Sequence, residues 1–381
     1  MSFRVEAQQP GGRARTGLLS TPHGVLETPA FFPVGTRAAV RGITPAELRA
    51  VGVQGVLANT FHLHLRPGED LIAGLGGLHG FMAWDGPILT DSGGYQVYSL
   101  AHLARKREQG VSFQSPIDGS KHLLTPESCI AIQQALGADL ICILDEFHEI
   151  GEGPEADERA RDALERTLRW AERAQRAHTR PDQLLFGIVQ GGGSTALRAE
   201  SAERTRALGF DAFAIGGLGV GDSPEARVPL LDAALQPLPD AAPRYLMGLG
   251  EPDDLLAAIG QGVDLFDCVV PTRNGRHGLV FTREGRLNLR NARHREAAGP
   301  VEDDCACPGC AAHSRAYLHH LLRAGEALGA RLCALHNIAF YMRMLREIRA
   351  AIADGSFADY EAGWRARYRP RSPASATDSA A

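Results

Sequence analysis

Thr125-Pro-Glu-Ser-Cys-Ile-Ala-Ile-Gln-Gln-Ala-Leu-Gly-Ala-Asp-Leu-Ile-Cys-Ile-Leu-Asp145 holds one complete unit of the fold. Apolar residues fall at helical spacing over 126–136, and a continuous apolar run over 140–144 then stops at a carboxylate. A strand that is apolar at every position is buried on both faces, as parallel sheets covered by helices require. Working outward, similar runs lie at 30–34, 55–59, 88–90, 185–189, 212–215, 245–248 and 265–269. Segments with helical spacing at 157–177, 194–208 and 252–259 separate several of them. Eight strands alternating with helices predict an α/β fold, a (β/α)8 TIM barrel, over an open doubly wound sheet. The unusual residues favour the barrel because they sit where strands run out: Asn59, Asp91, Asp145, Gln190, Gly216-Gly217, Met247 and Asp267. A barrel gathers those ends around one mouth.

Two departures from the repeat are legible. Asp118-Gly119 between apolar runs over 111–124 signals a β-hairpin inserted after the third strand, and a second hairpin is expected over residues 3–26. The Ser-, Ala- and Pro-rich end, 369–381, reads as a disordered tail behind a barrel domain spanning 1–368.

The chain has 381 residues, 44% hydrophobic and 22% charged, enough apolar material for a large core and incompatible with a disordered polymer or a disulfide-stapled scaffold. Its net charge of -5 excludes a polybasic coat, so a nucleic-acid partner needs a local basic face. Neither a secretory signal nor a run of 18 apolar residues is present, so a soluble, cytoplasmic protein without a membrane partner is expected.

Cys305-Ala-Cys307-Pro-Gly-Cys310 places three thiols on one tight loop, able to reach three corners of a tetrahedral Zn2+ site. His313, His319, His320, Cys333 and His336 are candidates for the fourth. His336 is preferred and Cys333 stands second, because a ligand from a following helix closes the tetrahedron with less strain. Four protein ligands make such a zinc structural, one per chain.

At the mouth, Asp91 opens a turn with paired glycines, and Asp267 stands inside an apolar strand where an ionisable group is costly without a task or a partner. Asp145 is similar but has Glu146 and His148 beside it. Two carboxylates facing one pocket can divide work at an anomeric carbon, one as nucleophile and one as acid and base. Directly after Asp267, residues 273–295 carry seven arginines against one glutamate, a footprint for phosphate contacts. A metal-dependent hydrolase would need several ligands at the mouth; His62 and His64 offer a start without a third partner.

These strings resemble the tRNA-guanine transglycosylases: Leu89-Thr-Asp-Ser-Gly-Gly-Tyr-Gln96, Phe266-Asp-Cys-Val-Val-Pro-Thr-Arg273, and Cys-x-Cys-x-x-Cys with a later His. The similarity runs over 3–368. It implies a TIM barrel with a zinc-binding subdomain (286–336) between last strand and last helix, and exchange of guanine at the tRNA wobble position for a 7-deazaguanine base. By motif, Asp267 is the nucleophile and Asp91 the general acid and base. Ser92, Asp145, Gln190, Gly217 and Leu218 hydrogen-bond the base, while Tyr95 and Met247 pack on its faces. Arg273 and Arg276 contact the anticodon loop, and Cys305, Cys307, Cys310 and His336 hold zinc. Gly216-Gly-Leu-Gly-Val-Gly221 resembles the bacterial type, which implies 7-aminomethyl-7-deazaguanine, tRNA with a G-U-N anticodon and a homodimer. One departure is Phe147, where bacterial members usually have Cys; it leaves queuine as an alternative base. A non-catalytic tRNA-binding subunit is the reading from another class, and the presence of both Asp91 and Asp267 argues against it.

Overall fold

The computed structural model describes residues 1–100, 104–148, 150–151 and 153–369. Eight parallel strands form one sheet: β1 (Ala30–Pro33), β2 (Val56–Asn59), β3 (Ile88–Asp91), β4 (Leu140–Cys142), β5 (Leu184–Val189), β6 (Ala212–Ile215), β7 (Arg244–Leu246) and β8 (Leu265–Cys268). Each pairs with its successor from β2 to β8, and β8 returns to β1. The seam between β1 and β2 is narrow. A parallel bridge joins Val34 to Leu57, and Gly35 N donates to Leu57 O at 2.7 Å, which closes the barrel. Helices Pro126–Leu136, Pro154–Ala177, Thr195–Ala207, Pro224–Leu235 and Pro252–Gly260 cover the outside.

The apolar run over 140–144 is longer than the strand it forms. Ladder pairing between β3 and β4 stops at Thr90 and Ile141, and the buried side chain of Gln133 takes over. Its Oε1 accepts from Thr90 Oγ1 (2.9 Å) and Cys142 N (3.1 Å), while its Nε2 donates to Cys142 O (2.8 Å). An amide side chain thus stands in for a strand where two neighbours splay apart toward the mouth.

Both expected hairpins are present, each with an additional strand. Gly110–Gln114 pairs with Lys121–Leu124 and also with Arg105–Arg107. At the other end Ser2–Gln8, Arg15–Thr21 and Gly24–Thr28 form a three-stranded sheet. Arg15 fastens that sheet to the barrel floor through a buried, bidentate pair with Asp264, at 3.0 and 2.6 Å, just before β8.

After β8 the chain forms a short helix, Val270–Arg276, then a hairpin of Leu279–Thr282 with Gly285–Asn288. Helices Pro308–Ala312, Arg315–Ala324 and Ala327–Ala353 follow, and the last packs along the barrel. A second hydrophobic cluster forms here around Val280, Leu289, Val301, Leu318, Leu322 and Leu332, with the three clustered cysteines. Of the expected tail, 369–381, only its first residue is described. Arg369 bridges to Gly285 and its N donates to Glu284 O (3.1 Å), so backbone pairing holds it; residues 370–381 lie outside the described residues.

Candidate active site and metal centre

The strand ends bring the expected polar residues to one mouth. Asp91 ends β3, Asp145 follows β4, Gln190 follows β5, Gly217 and Leu218 follow β6, Met247 follows β7, and Asp267 lies in β8.

Asp91 is held from the neighbouring strand. Asn59 Nδ2 donates to Asp91 Oδ2 at 2.5 Å and Thr60 N to Oδ1 at 3.2 Å. Asn59 has its orientation fixed because its Oδ1 accepts His62 N (3.0 Å) and caps the helix Thr60–Leu65. Burial pushes the Asp91 carboxyl up to about 7; the nearby Asp267 charge adds to this and the Thr60 and Asn59 donors oppose it. A carboxyl with that value carries a proton for part of the time at neutral pH.

Asp267 is the other half of the pair. Tyr245 OH (2.6 Å) and Gly248 N (2.8 Å) both donate to its Oδ1. No donor among the described residues reaches Oδ2, so one oxygen is fixed and the other is not. Burial raises its carboxyl above the ordinary range, and these two donors pull it back toward the ionised form. Tyr245 and Asn59 are positioning residues whose partnership with the two carboxylates was not read from the sequence. The signal available was a polar side chain at the inward end of an apolar run.

The pocket wall is built from the next strands. Gln190 Nε2 donates to Asp145 Oδ2 at 2.6 Å, and burial pushes the Asp145 carboxyl up against that bond and the Lys106 charge. Gly216 and Gly217 lie against the Gln190 amide so closely that a Cβ on either would sit 2.5 to 2.7 Å from it, and Gly217 has φ +71°. Ser92 is buried, with its Oγ accepting Gly94 N at 3.3 Å. Tyr95 is 46% exposed at the start of the helix Gly94–Leu100, and Met247 is half-buried across the mouth. Phe147 is buried edge-on to Tyr95, with ring centroids 5.2 Å apart at 90°.

The basic face is smaller than the arginine count suggests. Arg273 is exposed and Arg276 half-buried on the helix beyond Asp267, with Arg41 near enough to push the Arg276 guanidinium down after burial has done so. Arg283, however, pairs with Glu347 (2.5 Å) and Asp304 (3.3 Å), and Arg286 pairs with Glu251. Those two charges are neutralised within the fold, by partners distant in sequence. Arg41, which the count left out, belongs to the face.

Among the described residues, His62 and His64 belong to no group that could hold a metal ion. His64 bonds Glu69 (2.8 Å) and His122 (3.1 Å) instead. The thiols do converge with an imidazole: His336 Nδ1 lies 3.6, 3.6 and 3.3 Å from the sulfurs of Cys305, Cys307 and Cys310. These four buried residues form a group that could hold a metal ion. Metal–sulfur and metal–nitrogen bonds of about 2.3 and 2.0 Å at a tetrahedral angle put ligands about 3.5 Å apart, so the spacing fits. His336 Nε2 lies 2.8 Å from Phe281 O, which requires the proton on that nitrogen and frees Nδ1 to ligate. Among the other candidates, Cys333 is buried in the same cluster outside the four, and His319 Nδ1 bonds Leu289 O at 2.8 Å.

The family model described as Queuine tRNA-ribosyltransferase matches residues 10–370. The chain is 48% identical over 375 residues to the queuine tRNA-ribosyltransferase of Zymomonas mobilis, covering 97% of this chain and 96% of that protein. It is 52% identical over 358 residues to that of Thermus thermophilus, covering 94% and 92%. A third relative of the same name, from Novosphingobium aromaticivorans, is 49% identical over 375 residues, with 97% and 99% covered. With a closed barrel, paired mouth carboxylates and a Cys3His group already in place, a match over nearly the whole length settles the family: the chain belongs to the queuine tRNA-ribosyltransferases, a family of pentosyltransferases.

Proposed function

We propose that the protein exchanges guanine at the wobble position of G-U-N tRNAs for 7-aminomethyl-7-deazaguanine, a step of queuosine biosynthesis, by double displacement. The observation that carries this reading is the asymmetry of the two carboxylates. Asp267 has one oxygen held by Tyr245 and Gly248 and, among the described residues, one without a donor, while the Asp91 carboxyl is raised to about 7. Asp267 Oδ2 attacks C1′ of the ribose as the C1′–N9 bond breaks, and the bonding pair leaves with guanine. Asp91 supplies a proton to the departing base. The incoming base then gives its proton to Asp91, attacks C1′ and releases Asp267.

The pocket suits a guanine edge. Asp145 can accept from N1–H and the 2-amino group, and Ser92, Gln190 and the backbone at Gly217 and Leu218 offer the remaining partners. Tyr95 and Met247 pack on the ring faces, the usual way to hold an extruded base. Arg273 and Arg276 meet anticodon-loop phosphates. Zinc, held by Cys305, Cys307, Cys310 and His336, would supply a four-coordinate crosslink and no chemistry at the ribose. This crosslink, together with the second hydrophobic cluster, supports reading 286–336 as a subdomain inserted in the barrel. The resemblance extends the proposal to a cytoplasmic homodimer.

The test is uptake of labelled guanine into unmodified G-U-N tRNA, with 7-aminomethyl-7-deazaguanine and queuine as competitors. Uptake is expected, with the aminomethyl base the stronger competitor, and Asp267→Ala should form no covalent RNA adduct. Stronger competition by queuine would transfer the assignment to that base. Absence of uptake by folded, zinc-loaded protein would overturn the proposal in favour of a tRNA-binding subunit.

A further inference from the structure

Arg198 lies on the helix Thr195–Ala207 and is completely buried, behind the pocket wall rather than in it. No carboxylate hydrogen-bonds its guanidinium among the described residues. Its donors go instead to backbone carbonyls: Nε to Gly192 O at 2.9 Å, NH1 to Gly216 O at 3.1 Å and, at longer range, NH2 to Gly217 O at 3.5 Å. Burial pushes its pKa down to about 10, which leaves it a cation at neutral pH. The Asp222 carboxylate is near enough to favour the charge but makes no hydrogen bond to it, and a buried cation whose hydrogen bonds go only to peptide carbonyls is expensive and calls for a reason.

The direction of those peptides supplies one. In a trans peptide the C=O and N–H groups point opposite ways. With the carbonyls of Gly216 and Gly217 drawn toward Arg198, the N–H groups of Gly217 and Leu218 point away from it, toward the pocket. Neither N–H donates to any group among the described residues. Gly216 N is already engaged, by Val189 O at 3.0 Å, so the loop is anchored on its strand side. Gly191, at φ +145°, packs so tightly on Arg198 that a Cβ there would lie 2.7 Å from Arg198 N, which fixes the base of the side chain as well.

We infer that Arg198 is a positioning residue for leaving-group stabilisation: it aims the Gly217 and Leu218 N–H groups at O6 of the bound guanine and polarises them as negative charge reaches that oxygen. The inference rests on the base-exchange reading above. When the C1′–N9 bond breaks, the electron pair enters the purine ring and part of its charge resides on O6. Two preoriented N–H donors backed by a fixed cation respond to that charge without reorganisation. The effect therefore belongs to the transition state more than to ground-state binding.

The experiment compares wild type, Arg198→Met and Arg198→Lys in exchange of labelled guanine, with unlabelled guanine and 6-thioguanine as competing bases. Sulfur at position 6 is a poor acceptor, while the N1–H and 2-amino group facing Asp145 are kept. Wild type should prefer guanine. Arg198→Met should lose at least about tenfold in kcat with a smaller change in KM, as expected for one lost charge-assisted interaction, and its preference for guanine over 6-thioguanine should collapse. Arg198→Lys, which keeps the charge but loses the fork, should fall between the two. If kcat drops while the base preference stays at the wild-type value, Arg198 only supports the fold and the inference is wrong. Should Arg198→Met fail to fold, the preference measured in Arg198→Lys decides: narrowed supports the inference, unchanged overturns it. Absence of guanine exchange in wild type itself would instead remove the reading on which the inference rests.

Discussion

On the base-exchange reading proposed above, the environment of Asp91 sets the working pH. Burial raises its carboxyl from 3.8 to about 7, so a proton that it could give to a leaving base is present below that value and lost above it. The exchange rate should therefore decline on the alkaline side with an apparent pKa near 7, and Asp91→Asn should lose that limb along with about 10²-fold or more of activity, read from a pH–rate profile. The same shift carries a stability consequence. The unfolded chain releases this proton near 3.8 and the folded chain near 7, so the group favours the fold below 3.8 and that contribution disappears as pH rises toward 7. Tyr245 acts on the other carboxylate. Tyr245→Phe deletes one of two bonds to Asp267 Oδ1, raises its pKa further and should slow covalent adduct formation about tenfold in single-turnover experiments, while thermal stability changes little. Both aspartates could be picked out of the sequence because a charge in an apolar run stands out. Their partners could not, because Asn59 and Tyr245 become partners only once strands 32 and 22 positions apart are neighbours.

Elements in this barrel are short, and side chains finish what the ladders leave incomplete. Gln133 replaces strand pairing between β3 and β4 at the level where both lead into the mouth loops. Gln133→Leu would leave Cys142 N, Cys142 O and the Thr90 hydroxyl without partners in a dry interior. A loss of about 3 kcal/mol or more in urea unfolding is expected, with reduced activity from displaced Asp91 and Asp145. An isosteric Gln133→Glu at neutral pH should be as damaging, since it removes the donor to Cys142 O. Strand and helix existence was legible from apolar spacing, and so was the inserted hairpin from Asp118-Gly119. The stop of β4 at Cys142 was not, since Ile143 and Leu144 continue the same apolar run and only the splay of β3 ends the pairing.

Across the whole molecule, one helix ties the metal group to the mouth. Ala327–Ala353 carries His336, and beside it Asn337 bonds Phe281 N (3.0 Å), Pro271 O (2.9 Å) and Leu279 O (3.0 Å). Gly275, on the same short helix as Arg273 and Arg276, packs so closely on it that a Cβ would lie 2.4 Å from Ala334 Cα. Removing the metal should therefore loosen the basic rim before the pocket. Chelation is expected to unfold the segment around Cys305–Cys310 and weaken tRNA binding at least about tenfold, with free-base binding nearly unchanged, measured by titration of each ligand. If the chelated protein keeps both its tRNA affinity and its C-terminal fold, the structural role of the metal is wrong. Metal content should be close to one per chain and should fall in Cys310→Ser.

The sequence by itself determined the barrel, the mouth carboxylates and the three thiols of the metal group, with His336 only preferred among several candidates for the fourth ligand. Those follow from local pattern: apolar spacing fixes element type, chain alternation fixes parallel pairing, and thiols on one loop are close whatever the fold. Tertiary structure alone decided which arginines face outward, since Arg283 and Arg286 meet Glu347 and Glu251 only after folding, whereas Arg41 joins Arg273 and Arg276 from the loop that follows β1. It likewise decided that Asp267 has one oxygen held by two donors and, among the described residues, one without a donor, and that the Arg198 guanidinium hydrogen-bonds backbone carbonyls. Pairing and hydrogen-bond direction depend on positions in space, and one-dimensional spacing holds no record of them.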